Sequence, residues 1–249
     1  MDAVYYSFLA GFATAVGALI FGLIGHPGRR MLSGSLGFAG GVMLAISVFD
    51  LMPEALDLGT MFSVVVGFLL GVGVLFALDQ LVPHAHAGAD DQPKPERTDN
   101  VPTFNSRALQ TGYLIFLGIA IHNLPEGLAI GAGLEASPEL GLYIAVAIGL
   151  HNIPEGIAVA GPLRAGGLSL GKIFGLTLLA GMMTPLGALI GLFLFGLSPV
   201  LVGGGLAFAA GAMVYIVIDE LIPQMAELHQ LVGTSALLVG LLLGFVLGG

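Results

Sequence analysis

Residues 60–78 read TMFSVVVGFLLGVGVLFAL, a stretch without one charged side chain. At about 1.5 Å of rise per residue, such a run covers most of the ~30 Å hydrocarbon core of a bilayer. Its apolar residues are continuous, whereas a barrel strand alternates apolar and polar positions, so a membrane barrel is excluded. Seven more runs of this kind flank it. The eight lie near 3–25, 36–52, 60–82, 108–132, 139–161, 171–196, 199–222 and 231–248. Composition agrees: 56% of the 249 residues are hydrophobic, 9% are charged, and the mean hydropathy is +0.99. A soluble domain carries about a quarter charged residues. Soluble enzymes, nucleic-acid binders and disordered proteins are therefore excluded, leaving a single all-α transmembrane domain, 1–249, whose solvent is the lipid bilayer.

Further classes fall away. With no Cys there is neither a disulfide framework nor a thiolate metal site. No G-x-x-x-x-G-K-[ST] loop is present, so the chain does not hydrolyse ATP through a Walker motif. Met1-Asp2 opens without a basic stretch, so the first run reads as a retained helix and not a signal peptide. The net charge of −9 does not describe an acidic surface, because several carboxylates lie inside apolar runs.

The basic residues orient the spans. All 7 Lys and Arg follow odd-numbered spans: Arg29 and Arg30; Lys94, Arg97 and Arg107; Arg164 and Lys172. Loops after even-numbered spans carry Asp57, Glu135 and Glu139 instead. Because Lys and Arg stay in the cytoplasm, both termini are expected to be extracytoplasmic. The polar stretch 84–107, rich in Pro, Asp and basic residues, reads as a flexible cytoplasmic loop between the third and fourth spans.

A repeat is also visible. Phe38, Ala39, Gly41 and Met43 in the second span, followed by Asp50, Leu51 and Pro53, match Phe208, Ala209, Gly211 and Met213 in the seventh, followed by Glu220, Leu221 and Pro223. Every pair has the same offset along the chain, the one that carries Phe38 to Phe208. On the orientation above the two spans cross in opposite senses, which is the pattern of an inverted-topology repeat in secondary transporters. The other reading is a packing pattern of small residues that two helices happen to share.

The chemistry lies in two hexapeptides, His122-Asn123-Leu124-Pro125-Glu126-Gly127 in the fourth span and His151-Asn152-Ile153-Pro154-Glu155-Gly156 in the fifth. His and Glu four apart share a helix face. Each Pro lacks an N–H, which frees the carbonyl four residues earlier, and such irregular backbone is tolerated at membrane depth where it lines a cavity. Apart from Lys172 at the very start of the sixth run, no Lys or Arg lies within a span, so the two carboxylates must be neutralised by protons, by His or by a metal ion. Two His and two Glu form a mixed N/O donor set suited to Zn²⁺, Fe²⁺, Mn²⁺, Co²⁺ or Cd²⁺ more than to Ca²⁺ or Mg²⁺. A His–Glu hydrogen-bond network that only fixes helix packing is the alternative.

Paired HNxPEG hexapeptides in the fourth and fifth of eight spans resemble the ZIP family of divalent metal transporters, in its GufA-like prokaryotic branch. The run Asp219-Glu220-Leu221-Ile222-Pro223 and the loop holding His84 and His86 are similar to that branch as well. The resemblance implies a 3+2+3 arrangement of helices, movement of metal into the cytoplasm, and a ligand set of His122, Asn123, Glu126, His151, Asn152 and Glu155. It also implies a Met beside the metal, matched here by Met43. One position departs: many members carry a Glu before the Pro-Leu-Gly of the sixth span, where this chain has Thr184. Loss of that carboxylate points to one main ion instead of a two-metal centre. Met182 and Met183, nearby, read as packing.

A route can be traced from the same sequence. Met43, Asp50 and Asp57 recur every seven residues, so a regular helix places them near one face, with Asp57 at the outer mouth and Asp50 below it. Asp79, Asp219 and Glu220 stand near the inner ends of their spans, with Glu220 taken here as the pathway residue. Stripes such as Gly67-x-x-x-Gly71 permit close helix packing, either within the bundle or in a homodimer. The expectation is a secondary carrier of zinc, and also of iron, manganese or cadmium, in a prokaryotic inner or plasma membrane, with no cofactor. A metal-selective channel and an intramembrane zinc-dependent hydrolase would use the same ligands, although the hydrolase would lack the usual H-E-x-x-H.

Overall fold

The computed structural model describes residues 2–25, 28–81, 106–195 and 198–248. Among them every regular element is helical: α1 (Asp2–Ile24), α2 (Arg29–Ala45), α3 (Met52–Leu58), α4 (Met61–Leu81), α5 (Ser106–Ala136), α6 (Pro138–Ala165), α7 (Leu170–Gly181), α8 (Met183–Phe195), α9 (Pro199–Ile216) and α10 (Ile222–Gly248). Two π-helical segments, Ile46–Leu51 and Val217–Leu221, join α2 to α3 and α9 to α10. Among the described residues six helical stretches are long and apolar enough to cross a membrane, and Met61–Ala77 is a shorter apolar helix. The protein is an all-α membrane protein.

Several boundaries differ from the sequence reading, each for a physical reason. The second run does not stop at Pro53 but continues from Arg29 to Leu58. A proline ring inside an α-helix collides with the carbonyl four residues earlier. Here the wider π-turn lies directly before it, and the same device precedes Pro223. Arg29, Arg30 and Arg107, expected in loops, begin helices, and Asp57 belongs to the last turn of α3. Most of the 84–107 loop, with His84 and His86, lies outside the described residues.

The stretch Pro199–Val246 is 48 residues long, about twice what one crossing needs. It is not one rod: His229 has φ −168° and ψ 85°, far from helical values. Beyond it α10 runs parallel to α2, with Gly37 against Gly233 and Gly41 against Leu237. α9 runs parallel to α4, with Gly67 against Gly204 and Gly71 against Phe208. Since α4 returns antiparallel to α2 after the turn at Gly59, the chain reverses direction at His229. Arg29 caps this reversal by donating from Nε to the Leu228 carbonyl at 3.2 Å and from its terminal nitrogen to Glu227 at 2.7 Å. Buried Ser33 lies 2.8 Å from the Met225 carbonyl and 2.9 Å from that of His229. Ser33→Ala strips these carbonyls of their donor, so thermal unfolding in detergent is expected to show a loss of about 1–2 kcal/mol. An unchanged midpoint would mean the reversal is held by packing alone.

The constant offset seen in the sequence governs the packing. A Cβ on Gly11 would overlap the Gly181 carbonyl, and a Cβ on Gly181 would overlap that of Gly11. Gly156 on α6 meets the Thr14 carbonyl of α1 as Gly127 on α5 meets the Thr184 carbonyl of α8. The π-turns are matched too, since the offset carries residues 47–51 onto 217–221. Helices related by the offset, α1 and the α7–α8 pair, thus pack on α6 and α5 in equivalent ways.

Candidate metal centre

α5 and α6 are joined through Ser137 alone and run antiparallel, which brings the two hexapeptides side by side. Their glycines and Asn side chains face outward to α1, α7 and α8, and their His and Glu side chains meet in the middle. His122 Nε2 stands 2.9 Å from Glu126 Oε1 and 3.1 Å from Glu155 Oε1, and His151 Nε2 stands 2.7 Å from Glu126 Oε1. One donor atom from each of the four residues lies within 4.8 Å of every other, and all four residues are buried. Each imidazole therefore faces a carboxylate of the opposite helix, and the cluster bridges the two helices.

The hydrogen bonds do not satisfy the cluster. Glu126 Oε2, Glu155 Oε2 and His151 Nδ1 are buried with no partner. Asn123 Nδ2 donates to the Ala180 carbonyl and Asn152 Nδ2 to the Ala10 carbonyl, each at 3.0 Å, while both Asn Oδ1 atoms lack a donor. Buried carboxylates and amides in a protein interior almost always find partners. A network serving only to lock helices would not leave one oxygen of every acid and amide unused. What remains is a buried set of lone pairs with two formal negative charges and, among the described residues, no Lys or Arg in contact, which is the chemistry of a cation site.

The other expected residues are placed as follows. Met43 is fully buried in the larger apolar core, as is Met213, its counterpart in the repeat. Asp50 lies in the first π-turn, 8% exposed, with Oδ2 unpartnered and Tyr143 of α6 nearby. Tyr143, which donates to the Gly244 carbonyl at 3.0 Å, carried no motif that would have singled it out. Asp57 is exposed. The π-turn between Met43 and Asp57 interrupts the seven-residue periodicity, since each π-turn takes up an extra residue, and the three do not form one straight stripe. Glu220 is partly buried in the second π-turn, its Oε1 3.8 Å from where a Cβ on Gly118 of α5 would stand. Thr184 is fully buried beside the cluster helices with Oγ1 unpartnered, and so is Thr14, which sequence reasoning missed. The signal was there, for the offset that pairs Phe38 with Phe208 also pairs Thr14 with Thr184.

Comparison with known proteins adds independent evidence. A family model described as "ZIP Zinc transporter" matches residues 91–248. The zinc transporter ZupT of Salmonella arizonae is 40% identical over 226 residues, covering 88% of this chain and 85% of its own. That of Salmonella paratyphi A is 41% identical, and that of Salmonella newport 40%, over the same shares of both chains. These relatives are transporters and not enzymes, so the hydrolase alternative is set aside. With the family model matching most of the chain and such identity running through nearly its full length, the chain belongs to the ZIP family of metal transporters.

Proposed function

We propose that this membrane transporter carries zinc from outside into the cytoplasm, as a secondary carrier in a bacterial inner membrane. Its substrate site is His122, Asn123, Glu126, His151, Asn152 and Glu155. The observation that carries this reading is the buried cluster on α5 and α6, whose outer carboxylate and amide oxygens have no partner in the protein. Nitrogen from two imidazoles together with carboxylate oxygen favours a borderline dication such as zinc, with iron, manganese and cadmium as competitors.

The topology in this reading has eight crossings in a 3+2+3 arrangement. The two flanking units each supply three, related as an inverted repeat, and α5 and α6 supply the central pair. The reversal at His229 and the seven-to-none distribution of basic residues support that count and an extracytoplasmic position for both termini. Asp50 and Asp57 form the outer approach and Glu220 the inner exit, since the two π-turn acids occupy matched places in the two units. Met43 and Thr184 complete the surroundings of the ion. A membrane potential negative inside favours inward movement of a dication by about 4.6 kcal/mol per 100 mV, twice the unit-charge value.

The test is zinc uptake by proteoliposomes of the full chain under an imposed potassium-diffusion potential. Saturable uptake, faster with the interior negative and accelerated by zinc preloaded inside, is expected. Uptake that never saturates and shows no counterflow would overturn the carrier reading in favour of a channel. No zinc-dependent signal at all would overturn zinc as the substrate.

A further inference from the structure

Hydroxyls on apolar helices usually donate to the carbonyl four residues back. Ser7, Ser47, Thr177 and Ser235 all do so, onto Ala3, Met43, Ile173 and Leu231. Thr14 and Thr184 break the rule. Both are fully buried in helical surroundings, and neither Oγ1 has a partner. The structure shows what has displaced them: the carbonyls four residues back belong to Ala10 and Ala180, which already accept the side-chain amides of Asn152 and Asn123. The two exceptions thus share one cause and stand at matched positions of the repeat.

Each of these rungs also holds an amide oxygen without a donor, Asn152 Oδ1 beside α1 and Asn123 Oδ1 beside the α7–α8 pair. A Cα–Cβ bond leans toward the N-terminus of its helix, so the side chain of Thr14 leans toward the Ala10 rung, and Thr184, in the first turn of α8, directly follows the Ala180 rung at the end of α7. Leaving a buried hydroxyl unsatisfied costs about 1–3 kcal/mol, and here the arrangement occurs twice, each time beside an Asn that directly follows a His of the His/Glu cluster. A hydroxyl and an amide oxygen together are neutral oxygen donors that a cation would satisfy at once.

We propose that Thr14 with Asn152, and Thr184 with Asn123, form two matched oxygen corners that hold the permeating dication on either side of the His/Glu cluster. The inference rests on that cluster being the substrate site, as proposed above, and adds a residue of α1 to it. The corners bring no charge. Glu126 and Glu155 therefore balance one dication between them, and the chain binds a single ion where a third carboxylate at position 184 would call for a second.

Calorimetric titration of the full chain in detergent with zinc tests this. Thr14→Val and Thr184→Val keep side-chain volume and remove the hydroxyl. Each is expected to weaken zinc binding about tenfold, Thr14→Ser and Thr184→Ser to restore it, and the native stoichiometry to be one zinc per chain. Zinc X-ray absorption on the Val variants is expected to show fewer oxygen neighbours. Native affinity in Thr14→Val would overturn the proposal, as would weakening that serine fails to restore, which would mark a packing role. If Glu126→Gln with Glu155→Gln abolishes binding while both valine variants bind normally, this inference fails and the substrate site stands. If the folded native chain binds no zinc, both fall together.

Discussion

Changing both Glu126 and Glu155 to alanine is expected to lower zinc uptake by about a hundredfold or more, because losing a group that merely orients a metal ligand commonly costs ten- to a hundredfold in affinity and these two residues carry the only carboxylates of the cluster. The protein is expected to remain folded. Both side chains are buried with one oxygen unpartnered and, among the described residues, no Lys or Arg bonded to either, so their removal relieves a desolvation cost and breaks only the contacts with His122 and His151. Initial rates in proteoliposomes, paired with thermal unfolding of the same preparations, separate the two effects. Uptake within a few-fold of native in a folded double variant would show that the ion travels elsewhere. The single change His151→Ala is expected to weaken uptake less, since His122 still presents its Nε2 to both carboxylates.

The second large effect is structural. A Cβ at Gly156 would occupy the space of the Thr14 carbonyl, and one at Gly127 that of the Thr184 carbonyl. These are backbone atoms of neighbouring helices, so no rotamer change relieves the clash and the helices must part. Gly156→Ala is therefore expected to destabilise by about 3 kcal/mol, lowering the unfolding midpoint by about 10 °C, and Gly127→Ala to do the same. Gly73 is the control, because a Cβ there meets nothing within 4 Å. Gly73→Ala should gain the usual helix-propensity benefit of roughly 1 kcal/mol. Far-UV circular dichroism is the suitable probe for a chain without Trp. Opposite signs at Gly156 and Gly73 are the expected outcome, and equal midpoints would contradict the close crossing of α1 and α6.

Much of this was legible in the residues. Unbroken apolar runs marked the helices, and two hexapeptides on adjacent spans marked a cluster whose four side chains the fold does bring within 4.8 Å. Pro53 and Pro223 misled, because a proline in an apolar run reads as a stop, and nothing local reveals that a π-turn will absorb it. That error carried over to Asp57, placed by a periodicity that assumes an uninterrupted α-helix. Thr14 was invisible for another reason. A single Thr in an apolar run carries no pattern, and only its relation to Thr184 through the repeat gives it meaning. The role of each Asn was half legible: the type pointed to an amide ligand, but that its nitrogen would be spent on a neighbouring carbonyl depends on which helix packs there.

If the chain works as the carrier proposed above, the matched packing of the offset-related helices has a consequence for the energy of its cycle. In a carrier whose outward- and inward-open states interchange the environments of its two halves, any contact that the pseudo-symmetry maps onto an equivalent one contributes equally to both states and cancels from their difference. The crossings at Gly11 and Gly181, the Asn–carbonyl bonds and the Gly127 and Gly156 contacts all fall in this degenerate class. In such a carrier the resting bias is set by positions where the halves differ, among them those that make side-chain bonds. Arg29 and Ser33, bonded to the turn around His229, correspond to Pro199 and Gly203, which have no side chain able to make such bonds. Ser47 corresponds to Val217, and Asp50 to Glu220. In the carrier proposed above, a preference for one face of the membrane would come from such mismatched pairs at the helix ends and π-turns, while matched contacts supply stability without favouring either direction.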